Sequence, residues 1–94
     1  MEIKYKDTII KIIEIYLPHA KIYLFGSYAR KTNKPGSDID IALDADRRLT
    51  LEEIKNIKRL VDALPISQSI DLVDTNRVPP EMKEIILKEG IRWK

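Results

Sequence analysis

The sequence predicts an α/β fold, a small sheet with helices packed against it. Three observations carry that expectation. Apolar residues recur at helical spacing in several long segments, short β-branched runs lie between those segments, and proline or glycine closes nearly every one. A chain of 94 residues is expected to form one domain, spanning 1–94.

The first element is a helix over residues 3–17, with Ile9, Ile10, Ile13, Tyr16 and Leu17 on one face and Pro18 ending it. Lys21-Ile22-Tyr23-Leu24-Phe25 follows as a strand that stops at Gly26-Ser27. Tyr28 to Lys31 fit one helical turn, and Thr32 to Ser37 form a loop marked by Pro35-Gly36. Residues 38–43 read as a second strand. Thr50 and Glu53 then have the spacing of a capping box, opening a helix with Ile54, Ile57, Val61 and Leu64 on its buried stripe and Pro65 at its end. Residues 69–73 form a third strand. Pro80 suits the first turn of a last helix, with Met82, Ile85 and Ile86 inward and Gly90 as its stop. Residues 91–94 add a short edge strand.

Composition narrows the function. The net charge is only +2 although 34% of residues are charged, so the chain lacks the basic excess of a dedicated nucleic-acid binder. With no cysteine there is no disulfide, thiolate metal site or cysteine nucleophile, and the single histidine, His19, reads as a surface residue beside Pro18. No run has the roughly 18 apolar residues of a membrane span, and the N-terminal MEIKYKD lacks the apolar stretch of a signal peptide. A cytoplasmic protein is expected.

The chemistry lies in the acids. Asp38 and Asp40 are two apart on an expected strand, so both leave one face while Ile39, Ile41 and Leu43 enter the core. Carboxylates so placed repel unless a cation or solvent separates them. Mg²⁺ suits them, because it favours oxygen ligands and binds through a few carboxylates together with substrate phosphates. Two such ions about 3.5–4 Å apart stabilise the attacking and leaving oxygens of an in-line phosphoryl displacement. Asp71, bracketed by Ile70 and Leu72, would complete a three-carboxylate cluster if its strand lies near the other. There it would ligate the metal nearer the acceptor or take the acceptor's proton. Taken singly, each feature is equally the solvated face of an ordinary strand, and Gly26-Ser27 alone is a plain turn. Their order and spacing separate the two readings.

Leu24-Phe25-Gly26-Ser27-Tyr28-Ala29-Arg30, followed by Gly36-Ser37-Asp38-Ile39-Asp40-Ile41, resembles the signature of the polymerase-β-type nucleotidyltransferase superfamily, and most of all its minimal members, the MNT domains. The motif order covers nearly the whole chain. The resemblance implies a mixed sheet flanked by helices, two Mg²⁺ ions, and transfer of a nucleotide from a nucleoside triphosphate with release of pyrophosphate. Gly26 and Ser27 match its triphosphate-binding motif, Asp38 and Asp40 its metal ligands, and Asp71 its third acid. Arg30, Lys31 and Lys34 lie on the loop that would overhang the triphosphate, Arg30 being the best placed to bind it. Arg47 and Arg48 read as surface, Tyr28 as packing under the loop, and Trp93 as packing across the sheet edge.

The site motif leaves the acceptor open. MNT domains are similar to the antitoxin half of HEPN/MNT toxin–antitoxin pairs, which implies ATP as substrate, a HEPN ribonuclease toxin as partner, and AMP transfer to a tyrosine of that toxin. The alternatives are transfer to a small molecule or an RNA end, and a module that neutralises its partner by contact alone. Homo-oligomerisation stays open.

Overall fold

The computed structural model describes residues 3–94, so the reading of the N-terminus as free of a leader rests partly on residues outside that range. The element order is α1 (Lys6–Tyr16), β1 (Lys21–Phe25), α2 (Ser27–Arg30), β2 (Ile39–Asp44), α3 (Leu51–Asp62), β3 (Ile70–Asp74), α4 (Pro80–Glu89) and β4 (Ile91–Arg92). The four strands make one mixed sheet in the order β3-β2-β1-β4. β1 is antiparallel to β2 and to β4, while β2 and β3 run parallel.

Strand alternation sends two sets of side chains to opposite faces. Ile22 and Leu24 of β1, Ile39, Ile41 and Leu43 of β2 and Ile70 of β3 meet Ile9, Ile13 and Leu17 from the α1 segment and Ile57 and Val61 of α3. This is the main core. On the other face a smaller cluster joins Tyr23 and Ala42 to Ile86 of α4. Helices therefore cover both faces, but α4 covers only part of the second one.

The α3 capping box is present: the Glu53 N–H donates to Thr50 Oγ1 at 3.0 Å, and the Thr50 N–H donates to Glu53 Oε1 at 2.9 Å. Arg47 lies on the surface as expected and forks onto the same carboxylate at 2.9 and 2.7 Å. Those bonds hold the Glu53 carboxyl at about 2, the Arg47 guanidinium being the largest cause and the Thr50 N–H the next. β4 continues in effect to the end of the chain, because Trp93 N–H donates to Ile22 O at 2.8 Å and Ile22 N–H to Lys94 O at 2.9 Å.

Several boundaries and faces differ from the sequence expectation. α1 begins at Lys6 rather than residue 3, and Tyr16 is 38% exposed. β2 covers Ile39–Asp44, so Asp38 lies just before the strand. α3 ends at Asp62, and Leu64 reaches the core from the turn that follows. In α4 only Ile86 is buried, Ile85 being 54% exposed and Met82 38%. The physical reason is the smaller second face: its buried cluster is Tyr23, Ala42 and Ile86, with Phe25, Val73 and Val78 packed against it, and it encloses one α4 residue. Gly90 does stop the helix, though with extended backbone (φ −70°, ψ 150°). A Cβ there would run into the Ile86 carbonyl, so the stop depends on close approach.

At the C-terminal ends of β2 and β3 lies a polar knot that the sequence did not suggest. Asp74, 4% exposed, accepts from Leu49 N–H at 2.7 Å and from Asn76 N–H at 2.9 Å. Asp44 accepts from Asp46 N–H at 3.0 Å and Asn76 Nδ2 at 3.2 Å. These bonds, with the nearby Lys83 and Lys21 charges, hold its carboxyl below the ordinary value against the opposing effect of burial, which is the largest single influence. No described helix is long and apolar enough to cross a membrane.

Candidate active site

The site forms at the opposite end of the same strands. β1 finishes at Phe25, whose partner in the antiparallel register is Asp40. Gly26 follows with φ 73° and ψ −150°, a conformation that side chains other than glycine's adopt only under strain. It turns the chain into the single turn of α2, in which Arg30 N–H donates to Gly26 O at 3.1 Å and Thr32 N–H to Ser27 O at 2.9 Å. Lys31, left-handed at φ 59°, ends the turn. The loop back to β2 is pinched around Pro35-Gly36, with Ser37 N–H donating to Lys34 O at 2.9 Å and Lys34 N–H to Ser37 Oγ at 2.8 Å.

On β2, Asp40 points away from the main core, to the face that α4 leaves partly uncovered. Its partner across the parallel pairing is Asp71 of β3. Paired residues of adjacent strands share a face and lie about 4.8 Å apart, so these two carboxylates are near neighbours. Asp38 stands exposed at the entrance to the strand, and Asp71 is exposed at the sheet edge. Asp40 is half-buried between them, against Gly26.

The electrostatics follow from that placement. The Asp40 carboxyl is pushed above its ordinary 3.8, first by burial, then by the like charges of Asp71 and Asp38, while the Arg30 guanidinium opposes the shift. Asp38, Asp71 and Arg30 are therefore all close enough for Asp40 to feel. Lys31 lines a groove of about 290 Å³ with Leu24, Tyr28, Asn33 and Ile91. Tyr28, within α2, is buried, and its hydroxyl oxygen accepts from Gln68 Nε2 at 3.2 Å.

The structure thus brings Gly26, Ser27, Arg30, Asp38, Asp40 and Asp71 to one end of the sheet. Among the described residues, no three His, Cys, Asp or Glu side chains are placed together so as to hold a metal ion by themselves. The donor set is nevertheless all carboxylate oxygen, its like charges crowd Asp40, and its outer side is open. An open set of this kind fits a hard cation such as Mg²⁺, which takes one or two protein carboxylates and completes its shell with water and substrate phosphates. Gln68 was not legible as part of this end of the sheet; only its place just ahead of the Asp71 strand could have pointed to it.

Known proteins resemble this chain in sequence and in fold. A family model described as "Polymerase beta, Nucleotidyltransferase" matches residues 7–92. A Methanocaldococcus jannaschii protein, designated a candidate protein adenylyltransferase, is 32% identical over 83 residues, or 86% of this chain and 88% of that one. A solved toxin–antitoxin structure with AMP-PNP is 28% identical with a TM-score of 0.78, covering 93% of this chain and 70% of that one. A tri-AMPylated Shewanella oneidensis HEPN toxin in complex with its MNT antitoxin supplies a third likeness, at 27% identity and a TM-score of 0.63, covering 93% of this chain and 66% of the matched chain.

Proposed function

The chain belongs to the polymerase β nucleotidyltransferase family, and we propose that within it this protein is an Mg²⁺-dependent protein adenylyltransferase that silences a HEPN-type toxin by moving AMP from ATP to a tyrosine. The observation that carries the proposal is the meeting of Gly26, Asp40 and Asp71, a glycine turn beside paired carboxylates on a partly uncovered face.

In this reading the amides of Ser27, Tyr28 and Ala29, which precede the first intrahelical bond of α2, donate to triphosphate oxygens together with the Ser27 hydroxyl. Arg30 neutralises phosphate charge from the outer side. Asp38, Asp40 and Asp71 would hold two Mg²⁺ ions, which when bound stabilise charge on the attacking and leaving oxygens. Asp71, at the exposed edge, faces the incoming acceptor and takes the proton of its hydroxyl. The tyrosine oxygen forms a bond to the α-phosphorus, the bond from that phosphorus to the bridging oxygen breaks, and pyrophosphate leaves with the electron pair.

The test is to incubate the chain with labelled ATP, Mg²⁺ and the product of any neighbouring HEPN-type gene. Gain of one or more adenylyl groups on that product, lost with Asp38→Asn/Asp40→Asn, is the expected result. Neutralisation of the toxin by that double variant, with no AMP on the toxin, would instead establish action by contact alone. Labelling of an aminoglycoside or an RNA end in place of the protein would move the acceptor to a small molecule or nucleic acid.

A further inference from the structure

We propose that Gly26 is a positioning residue for Asp40: the side chain missing at the phosphate turn is the space in which the Asp40 carboxylate sits. This rests on the reading of Asp40 as a working carboxylate, and it gives Gly26 a duty separate from letting phosphate approach the backbone.

A Cβ built on Gly26 would overlap Asp40 Oδ2 and lie 3.1 Å from its Cγ and 3.3 Å from its Cβ. The contact is specific to this position. Gly36, the other glycine with positive φ (85°), would place its Cβ in open space, with nothing within 4 Å. Gly36 is needed for backbone conformation alone; Gly26 is needed for conformation and for room.

Room matters because little else restrains Asp40. No hydrogen-bond donor among the described residues acts on its carboxyl, whereas Asp44, at the far end of the same strand, has both a backbone and a side-chain donor. Asp71 lies across the pairing and repels it. The wall that keeps the carboxylate from yielding to that repulsion is the bare Cα of Gly26, held by the register that sets Phe25 opposite Asp40. The turn that would seat the triphosphate and the acid beside it are therefore packed together, and a methyl group on the turn displaces the acid.

The experiment is a double-mutant cycle on metal-free protein, comparing melting temperatures of wild type, Gly26→Ala, Asp40→Ala and the double variant. Strain from the positive φ is common to both Gly26→Ala proteins and cancels in the cycle. The expected result is that Gly26→Ala lowers the melting temperature by clearly less, roughly half or under, when Asp40 is already alanine. Additive losses would overturn the proposal. If Gly26→Ala alone yields no folded protein, recovery of folding on adding Asp40→Ala supports it and failure to recover overturns it.

A kinetic arm reads the positioning role. Gly26→Ala is expected to raise the Mg²⁺ concentration for half-maximal adenylyl transfer roughly 10–100-fold, as loss of a ligand's support does at other metal sites, with ATP KM changed by less than about threefold. A rise in ATP KM with unchanged Mg²⁺ dependence would leave Gly26 a phosphate seat only. Should the wild-type chain transfer no AMP to any acceptor, the functional reading fails while the melting cycle still decides the geometry.

Discussion

Replacing Asp40 with asparagine should stabilise the metal-free protein while abolishing transfer. The carboxylate is half-buried, faces Asp71 across adjacent strands and has Asp38 nearby. For two unit charges about 5 Å apart at an effective dielectric constant of roughly 60–80, the repulsion is about 1 kcal/mol. Asp38 adds to it, Arg30 opposes it, and the exposure of Asp71 screens it, so the net relief is about 0.5–1 kcal/mol. Asparagine has nearly the same shape, preserves the fit against Gly26 and sacrifices no hydrogen bond to a described residue. For a domain of this size the gain amounts to a melting temperature about 3–6 °C higher at pH 7 in low salt with chelator. Because the folded-state carboxyl is raised above 3.8, its stabilising protonated form is fully present below that value and lost as pH rises through the folded value. Wild type and Asp40→Asn should thus melt together near pH 3 and separate towards neutrality. Salt or Mg²⁺ should narrow the gap at pH 7 by raising wild type. Circular dichroism melts supply the assay. An Asp40→Asn protein that melts at or below the wild-type temperature at pH 7 would refute the crowding of like charges on which the site is built.

Other outcomes follow from parts away from the acids. Asp74→Ala should cost about 2–4 kcal/mol by urea unfolding, because it strips a buried charged acceptor from two backbone N–H groups, one of them on the 1%-exposed Leu49. Glu53→Gln should lower stability at neutral pH by about 0.5–1.5 kcal/mol and flatten its acid limb. The sign follows from a carboxyl lowered from 4.5 to about 2: wild type keeps the stabilisation above the ordinary value and loses it as pH falls through the folded one. Gly90→Ala should weaken the pairing of the C-terminal strand with β1, read as faster hydrogen exchange at the Trp93 amide, which donates to Ile22 O.

Much of the fold is legible before any coordinates because local rules agree with it. Lys21–Phe25 forms the expected strand to the residue, and Thr50 and Glu53 make the capping box that their spacing announces. The α1 and α3 stripes bury Ile9, Ile13, Ile57 and Val61 as helical periodicity requires. What fails depends on partners far along the chain. Met82 and Ile85 stay outside because the buried cluster beneath α4 is small, which no property of the α4 segment discloses. The acids at 38, 40 and 71 stand out by spacing and family likeness, yet the pairing of Asp40 with Asp71 depends on β2 and β3 being neighbours. Asp44 and Asp74 carry the same residue type as the site acids and sit on two of the same strands. Only their distance from the Gly26 turn, and the donors closing on them, set them apart from the candidate site acids.

The parallel pairing of β2 and β3 also sets when the site comes into being. Gly26 and Asp40 meet through an antiparallel pairing closed by the short α2 turn and its loop, a contact expected to form early in folding. Asp71 joins through the longer connection that includes α3, with a larger closure entropy, and is expected to arrive later, when β3 docks beside β2. A chain arrested between those events would have its phosphate turn and two acids in place but not the third. During refolding, helical signal should therefore recover before the capacity to transfer AMP, and the interval between them times the docking of a single edge strand.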